Sequence, residues 1–439
     1  MRLFAKYNCV ILTVVCLSVS VFATTIYVDD DGPNDPGICD SSVSDPLEDG
    51  SETHPFDKIQ EAIDVAVSDD VIETAAGIYR ENIRVSQKNN ITIVGVGSDV
   101  TTINGGGNGH VVVFNLADGA ISGFTITNSG NSPLYLAGLF TSQCDVLVEE
   151  CIVKNNNYGI KFSSGSFGSV YRSKVINNSN EGVNYSQSTG FVKNCVIARN
   201  QWSGVKLSNS SADIVNNTIV NNGFAGLYCV PIGPMTIYNN IISNHDYAVI
   251  SLKKDSISYL NISYNNCYAN DNNYWYEWST VCIPEDPDCV PEGESRAFVP
   301  IPGVGEMNTN PVFASIVNND YHLKSEYGRW DVSVEKWIYD EMSSPCIDAG
   351  DSSDMSWQSE LWPHGKRINM GAYGGTGQSS MSANQVGSIA DIDHDGEVGL
   401  LDIVLMAKDW LTQQNLLDTD LDRNGIVNMA DFAELVNRN

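Results

Sequence analysis

From about residue 71 to residue 267 the apolar residues come in short runs or alternate with polar ones. They are rich in Ile, Val and Phe, and Asn, Gly and Ser interrupt them every few residues. That pattern predicts many short β-strands and no helix. It also repeats. Glu150-Cys-Ile-Val-Lys, Ser173-Lys-Val-Ile-Asn, Asn194-Cys-Val-Ile-Ala, Asn217-Thr-Ile-Val-Asn and Asn240-Ile-Ile-Ser-Asn start 23, 21, 23 and 23 residues apart. A second landmark runs in phase with it: Gly159-Ile-Lys-Phe, Gly182-Val-Asn-Tyr, Gly204-Val-Lys-Leu, Gly226-Leu-Tyr-Cys and Ala248-Val-Ile-Ser, at steps of 23, 22, 22 and 22. A unit this short cannot close a core alone, so it must stack on its neighbours. The simplest solution is a coil of three short strands, each pairing with its equivalent in the next coil about 4.8 Å away. Asn194, Asn217 and Asn240 are expected at one corner, where stacked amides bond along the stack and Asn tolerates a left-handed backbone.

Flanking segments read differently. Residues 56–67 place Ile59, Ile63, Ala66 and Val67 on one helical face, which predicts a helix covering the open edge of the first coil. Beyond Cys267 the coil signal fades into the aromatic stretch Tyr274-Trp-Tyr-Glu-Trp. Residues 376–388 have the composition of a flexible linker.

The Asn-Asn-x-Ile…Gly-Ile-x-Leu coil, as in Asn216-Asn-Thr-Ile and Gly226-Leu-Tyr-Cys, resembles the right-handed parallel β-helix proteins of the pectate-lyase-like superfamily. Asn310-Pro-Val-Phe, Tyr321-His-Leu-Lys, Ser344-Pro-Cys-Ile-Asp-Ala-Gly and Arg367-Ile-Asn-Met-Gly-Ala-Tyr-Gly-Gly resemble the ending of bacterial secreted β-helix proteins. The expected fold is thus all-β: a β-helix over 24–300 with a capping helix at 56–67, terminal coils and a loop-rich cap over 301–375, a linker at 376–388, and a small α-helical calcium-loop domain over 389–439.

That last domain rests on spacing. Asp391, Asp393, Asp395 and Asp402 occupy positions one, three, five and twelve of a calcium loop, with Gly396 at six and the Glu397 carbonyl at seven. Asp420, Asp422, Asn424, Gly425, Ile426 and Asp431 repeat the pattern 29 residues later. Calcium needs six to eight oxygens, and two copies with both glycines in place imply two Ca2+ ions. Aspartate at position twelve and one helix after each loop (401–411 and 430–436) resemble type I dockerins, which implies a cohesin-type scaffold partner. Leu400-Leu401 and Met429-Ala430 stand where such modules commonly carry Ser or Thr.

Charge and the N-terminus set the compartment. Arg2, Lys6, an apolar stretch and Val21-Phe22-Ala23 have the form of a signal peptide over residues 1–23, too short to span comfortably. The protein is expected to be secreted, extracellular or on the cell surface, with no membrane span. A net charge of −30 excludes nucleic acid as a partner held by the overall field. Of nine cysteines beyond the signal, Cys282 and Cys289 bracket a loop suited to a disulfide; most of the rest sit in strand-like segments as small hydrophobes.

One region departs from the acidity. Residues 149–206 hold seven basic residues and three acidic ones. Repeat phase puts Lys161, Asn184, Lys206 and Tyr228 in one outward column, and Arg172, Lys193, Asn216 and Asn239 in a second column whose facing the phase leaves open. Lys161, Asn184, Lys206, Arg172 and Lys193 are therefore candidate contacts for an anionic polysaccharide. Lys161 or Lys206 is a candidate base for a uronate C5 proton, with Tyr228 as proton donor. Clustered aspartates of the hydrolase type are lacking in the central coils, which hold chiefly Asp213 and Asp246. His245-Asp246 reads as a surface pair. The two functional classes are a polysaccharide-active, lyase-like protein and a non-catalytic glycan-binding or cell-surface structural one.

Overall fold

A computed structural model of the chain describes residues 23–32, 34, 36–37, 43–131, 136–252, 258–278, 296–298 and 303–438. The signal-like residues 1–22 and the Cys282–Cys289 loop lie outside them. The repeat builds three parallel sheets along one axis. A representative coil runs Ser211–Val215 in sheet I, Thr218–Val220 in sheet II and Ala225–Val230 in sheet III. Each strand pairs in parallel with its equivalent one coil on, as Thr218–Val220 does with Ile241–Ser243. The architecture is a right-handed parallel β-solenoid of about nine turns. Inward residues such as Ile160, Val183, Val205 and Leu227 are completely buried in one continuous core.

Corners follow from backbone chemistry. Between sheets I and II one residue per coil is left-handed: Glu150, Arg172, Asn194, Asn216 and Asn239 have φ between 45 and 58°. The next residue points inward, giving the column Cys151, Ser173, Cys195, Asn217, Asn240 and Asn265. Here the Asn217 amide donates to Asn240 Oδ1 (3.1 Å) and the Asn240 amide to Asn265 Oδ1 (2.9 Å). Asn194 is thus one residue away from its expected place in the ladder. The registers also move Ile152 and Val196 out of the phase of Ile219, whose partners are Ile197 and Ile242. The cause is that coils of 21 to 23 residues absorb their extra residue in the turns, so a gapless alignment slips by one.

A second ladder, not anticipated, lines the corner between sheets II and III. Asn178 donates to Asn200 Oδ1 and Asn200 to Asn222 Oδ1, both at 2.9 Å. His245 continues it. Its Nε2 lies 3.1 Å from the Asn222 amide and its Nδ1 3.1 Å from Asn270 Oδ1. His245 is therefore a buried rung rather than part of a surface pair.

The ends are closed differently. Helix α1 (Ile59–Val65) packs on the first coils through Ile59, Ala62 and Ile63, while Val67, expected on that face, is exposed. At the other end the cap lies against the outside of sheet II and forms a second core, in which Val196, Ala198, Val220 and Ile241 meet Phe313, Tyr321, Cys346 and Met370. These sheet II strands are apolar on both faces because both are covered. Within the expected linker at 376–388, residues 383–387 are exposed, but the stretch before them is packed against the cap. Ser379, Ser380, Met381 and Ser382 are buried, and Asn369 donates to Ser379 Oγ and the Ser380 carbonyl at 2.7 Å. Small polar residues serve here because each hydroxyl has a partner within the cap. The cysteines described, Cys144, Cys151, Cys195, Cys229, Cys267 and Cys346, are buried thiols.

His245 makes the fold acid-sensitive in a defined way. Burial depresses its pKa to about 4 from 6.5. A proton on Nε2 would set a donor against the Asn222 amide. The unfolded chain binds that proton below about pH 6.5 and the folded chain resists until about pH 4, so stability falls as pH drops through that window. Each pKa unit is worth about 1.4 kcal/mol. His245→Asn, which continues the ladder, should keep the fold and lose less stability between pH 7 and 4.5 than the parent in urea titrations. Equal acid sensitivity would contradict the assignment.

Candidate functional site

The expected outward column exists. Lys161 pairs in register with Asn184, Asn184 with Lys206 and Lys206 with Tyr228. It lies on the outer face of sheet III, with flanking residues such as Ile160 and Phe162 turned into the core. Lys161 and Lys206 are two strands apart, about 10 Å along the axis. Asn184 is nearly covered, at 7% exposure. The column continues through Ile250 to Trp275 and back to Phe140.

Charge along the column is organised by one residue that the sequence reading passed over. Glu181 precedes the strand Val183–Ser186 and is 3% exposed. Its Oε1 lies 2.7 Å from Lys206 Nζ, and its Oε2 has no partner. Lys206 also stands over the Tyr228 ring, 5.5 Å from the centroid, and Lys161 over the Tyr158 ring at 5.5 Å. Burial lowers the pKa of Lys161; Glu181 opposes that shift and Lys206 adds to it. His110, stacked on Phe140 at 4.5 Å, is pushed down to about 4 by burial, with Lys161 and Arg84 adding to the effect.

From the Lys206 coil onward a row of rings continues the basic column along the axis. Trp202 lies 5.8 Å from Phe224, Phe224 5.4 Å from Tyr247, and Tyr247 5.8 Å from Trp275. Trp202 is 53% exposed. The row advances about one ring per coil, close to the length of a sugar unit. Trp202 and Phe224 come from the turns that lead into sheet III. Those turns are irregular in sequence, which is why strand phasing did not collect them.

The other two candidates belong elsewhere. Arg172 occupies the left-handed corner between sheets I and II, bonded to Glu149 at 2.7 Å and Glu150 at 3.2 Å. Lys193 ends a sheet I strand and pairs with Tyr171 and Val215 rather than Asn216. Neither shares a face with Lys161.

A second constellation lies at the C-terminus. Helices α2 (Leu400–Lys408) and α3 (Met429–Asn437) each follow an Asp-rich loop. Their shared core joins Ile392, Met406, Leu421 and Leu435, which are equivalent residues at the 29-residue spacing. Carboxylate oxygens of Asp391, Asp393 and Asp395 lie within 4.8 Å of one another, as do those of Asp420, Asp422 and Asp431. Gly396 and Gly425 have φ of 100 and 89°, the turn that position six requires. Asp402 is in neither group; its oxygens accept from the amides of Ile392, Asp393 and Gly399 at 2.6–3.1 Å. Asn424 bonds back to Asp422, and the Ile426 carbonyl accepts from Asn428. The Glu397 amide donates to Asp395. Burial and the nearby Asp431 and Asp422 carboxylates raise the pKa of Asp420, a repulsion that a cation would relieve.

This module sits on the cap through the same position of each loop. His394 reaches the Gln358 carbonyl at 3.0 Å and meets the Trp357 ring edge-on at 5.6 Å. Arg423, 29 residues on, donates to the Trp362 carbonyl and lies over Trp337 at 5.2 Å. Leu400, Leu401 and Met429 face outward, each more than 60% exposed.

Such a chain is a right-handed parallel β-helix with an acidic two-helix module. Residues 63–280 match the family model described as NosD, periplasmic copper-binding protein. Among curated proteins none matches in sequence. Solved structures similar to it include pectate lyase Pel9A, at 13% identity and a TM-score of 0.42, over 80% of this chain and 97% of that one. An alginate lyase from Paenibacillus sp. str. FPU-7 is similar at 14% identity and 0.35, over 49% and 92%. A pectin methylesterase from Yersinia enterocolitica follows at 13% and 0.34, over 58% and 90%. No helix among the described residues is long and apolar enough to cross a membrane.

Removing Glu181 tests the pairing. In Glu181→Ala the Lys206 ammonium, 31% exposed, loses its partner. Because Lys206 still reaches water, the loss should be about 1–2 kcal/mol, below that for a fully buried pair. Urea unfolding of Glu181→Ala and of the double variant with Lys206→Met measures it; the double variant should recover part of the loss.

Proposed function

We propose that this chain is an exported protein that binds an extended anionic polysaccharide along the outer face of sheet III. The observation that carries the reading is the continuity of two rows on one face: Lys161, Asn184 and Lys206, and then, from the Lys206 coil onward, Trp202, Phe224, Tyr247 and Trp275. Both run along the axis at the coil spacing of about 4.8 Å. A linear uronate chain has a carboxylate and a ring face to offer at a similar repeat. Overall repulsion from a chain of net charge −30 is overcome locally, because exposed charges are screened beyond about 8 Å at physiological salt.

Affinity for a polyuronate, followed by tryptophan fluorescence, should fall about ten-fold in Lys161→Ala with Lys206→Ala, and should fall with added salt. A neutral glycan should be little affected. Unchanged affinity of the double variant for every polyuronate tried would remove the reading.

Catalysis is a second reading, favoured by the lowered pKa of Lys161. In it the Lys161 amine takes the C5 proton of a uronate, the C4–O4 bond breaks, and the departing oxygen takes a proton as the 4,5 double bond forms. Tyr228 is three strands from Lys161 and so serves a different sugar unit. Lys206, engaged by Glu181, is suited to holding a carboxylate. Lys161→Ala would then abolish the absorbance of unsaturated uronates at saturating polysaccharide, whereas a pure binding protein shows none in any variant.

For the C-terminal module we propose two bound calcium ions and a dockerin-like attachment role. Asp391, Asp393, Asp395 and the Glu397 carbonyl serve the first, and Asp420, Asp422, Asn424 and Asp431 the second, with Asp402 and Ile426 joining after giving up internal hydrogen bonds. The partner is a cohesin-type scaffold that covers the outward Leu400, Leu401 and Met429. Copper is not part of the proposal. The ligand clusters among the described residues are all aspartate, whereas copper favours nitrogen and sulfur. Calcium should raise the melting temperature of the module and leave the β-sheet circular dichroism unchanged on chelation; loss of the whole β signal would place the calcium elsewhere.

A further inference from the structure

We propose that the cleft between sheet II and the C-terminal cap is a second binding site, for a small acidic sugar held through its carboxylate by Lys174. The cleft has a volume of about 570 Å³, within the range of small-molecule sites. Arg172, Lys174 and the Glu150 that pairs with Arg172 line it from the coils, Thr376 and Gln378 from the cap, and Gln414 from the segment between the two acidic loops. It opens off a different sheet from the Lys161 face, and it does not rest on the reading of that face.

Lys174 is the anomaly that points to a ligand. On the outer face of sheet II its register partners are Ile152 and Val196, followed by Thr218 and Ile241. The last three are buried under the cap. An apolar residue would suit this position, yet the chain places an ammonium there. That ammonium has no hydrogen bond or ion pair among the described residues, and its surroundings lower its pKa by burial. The Asp320 charge opposes that shift, but its carboxylate is already engaged by His322 at 2.6 Å and Arg329 at 3.3 Å. Arg172 is likewise taken up by Glu149 and Glu150. A half-buried positive charge with no partner of its own costs stability, and a single carboxylate offsets it.

The remaining lining defines the rest of the ligand. Gln378 keeps its amide nitrogen available while its Oε1 meets His322 Nε2 at 3.1 Å. The Thr376 hydroxyl is taken up by the Tyr373 carbonyl at 2.7 Å and the Asn415 amide reaches Glu335 at 3.4 Å, while Gln414 adds a further side-chain amide. Such groups suit hydroxyls, and Ile152, Val196 and Leu416 suit the apolar face of a pyranose. The volume takes one or two sugar units. A phosphate dianion would meet one free cation only.

The test uses the full chain and sodium galacturonate as probe, by calorimetry, with galactose and inorganic phosphate alongside. Galacturonate should bind about ten-fold more tightly than either, and Lys174→Met should weaken it about ten-fold. The Lys161→Ala, Lys206→Ala double variant should bind it within two-fold of the parent. Lys174→Met should fold and be no less stable than the parent in the absence of sugar. In the parent itself, galacturonate should protect Lys174 from an amine-reactive reagent, read by peptide mass spectrometry, so the outcome does not hang on the variant folding. Galacturonate affinity unchanged in Lys174→Met, lost only in the double variant, or surpassed by phosphate would overturn the proposal, as would unaltered labelling of Lys174.

Discussion

Everything in this molecule depends on in-register stacking of coils too short to fold alone. A 22-residue coil has three strands and no interior until another coil covers it. The stack then leaves polar corners facing the core. Two ladders of side-chain amides answer that need, one along Asn217, Asn240 and Asn265 and one from Asn178 to Asn270. Each rung bonds the backbone or side chain of its neighbour, so a buried polar group costs little here. Where the first ladder begins, Cys151, Ser173 and Cys195 take the same column, because a thiol or hydroxyl is small enough to fit and still reaches a carbonyl or amide.

The same repetition makes a face. Any residue type placed at one phase in successive coils becomes a line along the axis. Lys161, Asn184 and Lys206 form such a line, and Glu181 fixes one end of it by pairing with Lys206. Of the rings that continue it, Trp202 and Phe224 arise from turns, where length varies and bulk is tolerated, and Tyr247 and Trp275 from strands. A polymer with its own regular repeat is the natural complement to such a surface, whereas a compact ligand needs a concave site. One concavity joined by coils, cap and C-terminal module is the cleft around Lys174, since cap and module both close against sheet II there.

The C-terminal module shows how duplication is used twice over. Residues 29 apart build its core from both halves. The fourth residue of each loop, His394 and Arg423, leaves the loop and grips the cap. The acidic positions and the gripping positions alternate along the same short segments. Anchoring the module and gathering its carboxylates are therefore one structural task.

Period, strand character and the outward phase of Lys161, Asn184, Lys206 and Tyr228 were legible in the chain, because parallel stacking maps sequence phase directly onto space. So was the duplication of the Asp-rich loops, because their spacing is local. Local pattern could not decide which of two adjacent residues takes a corner, since insertions of one residue hide in turns; Asn194 and Lys193 were displaced for that reason. Nor could it show that residues 379–382 are buried, that His245 is a rung, or that Glu181 answers Lys206. Those facts depend on which distant surface covers a segment. Polar residues read as solvent-exposed until the tertiary structure supplies their partners.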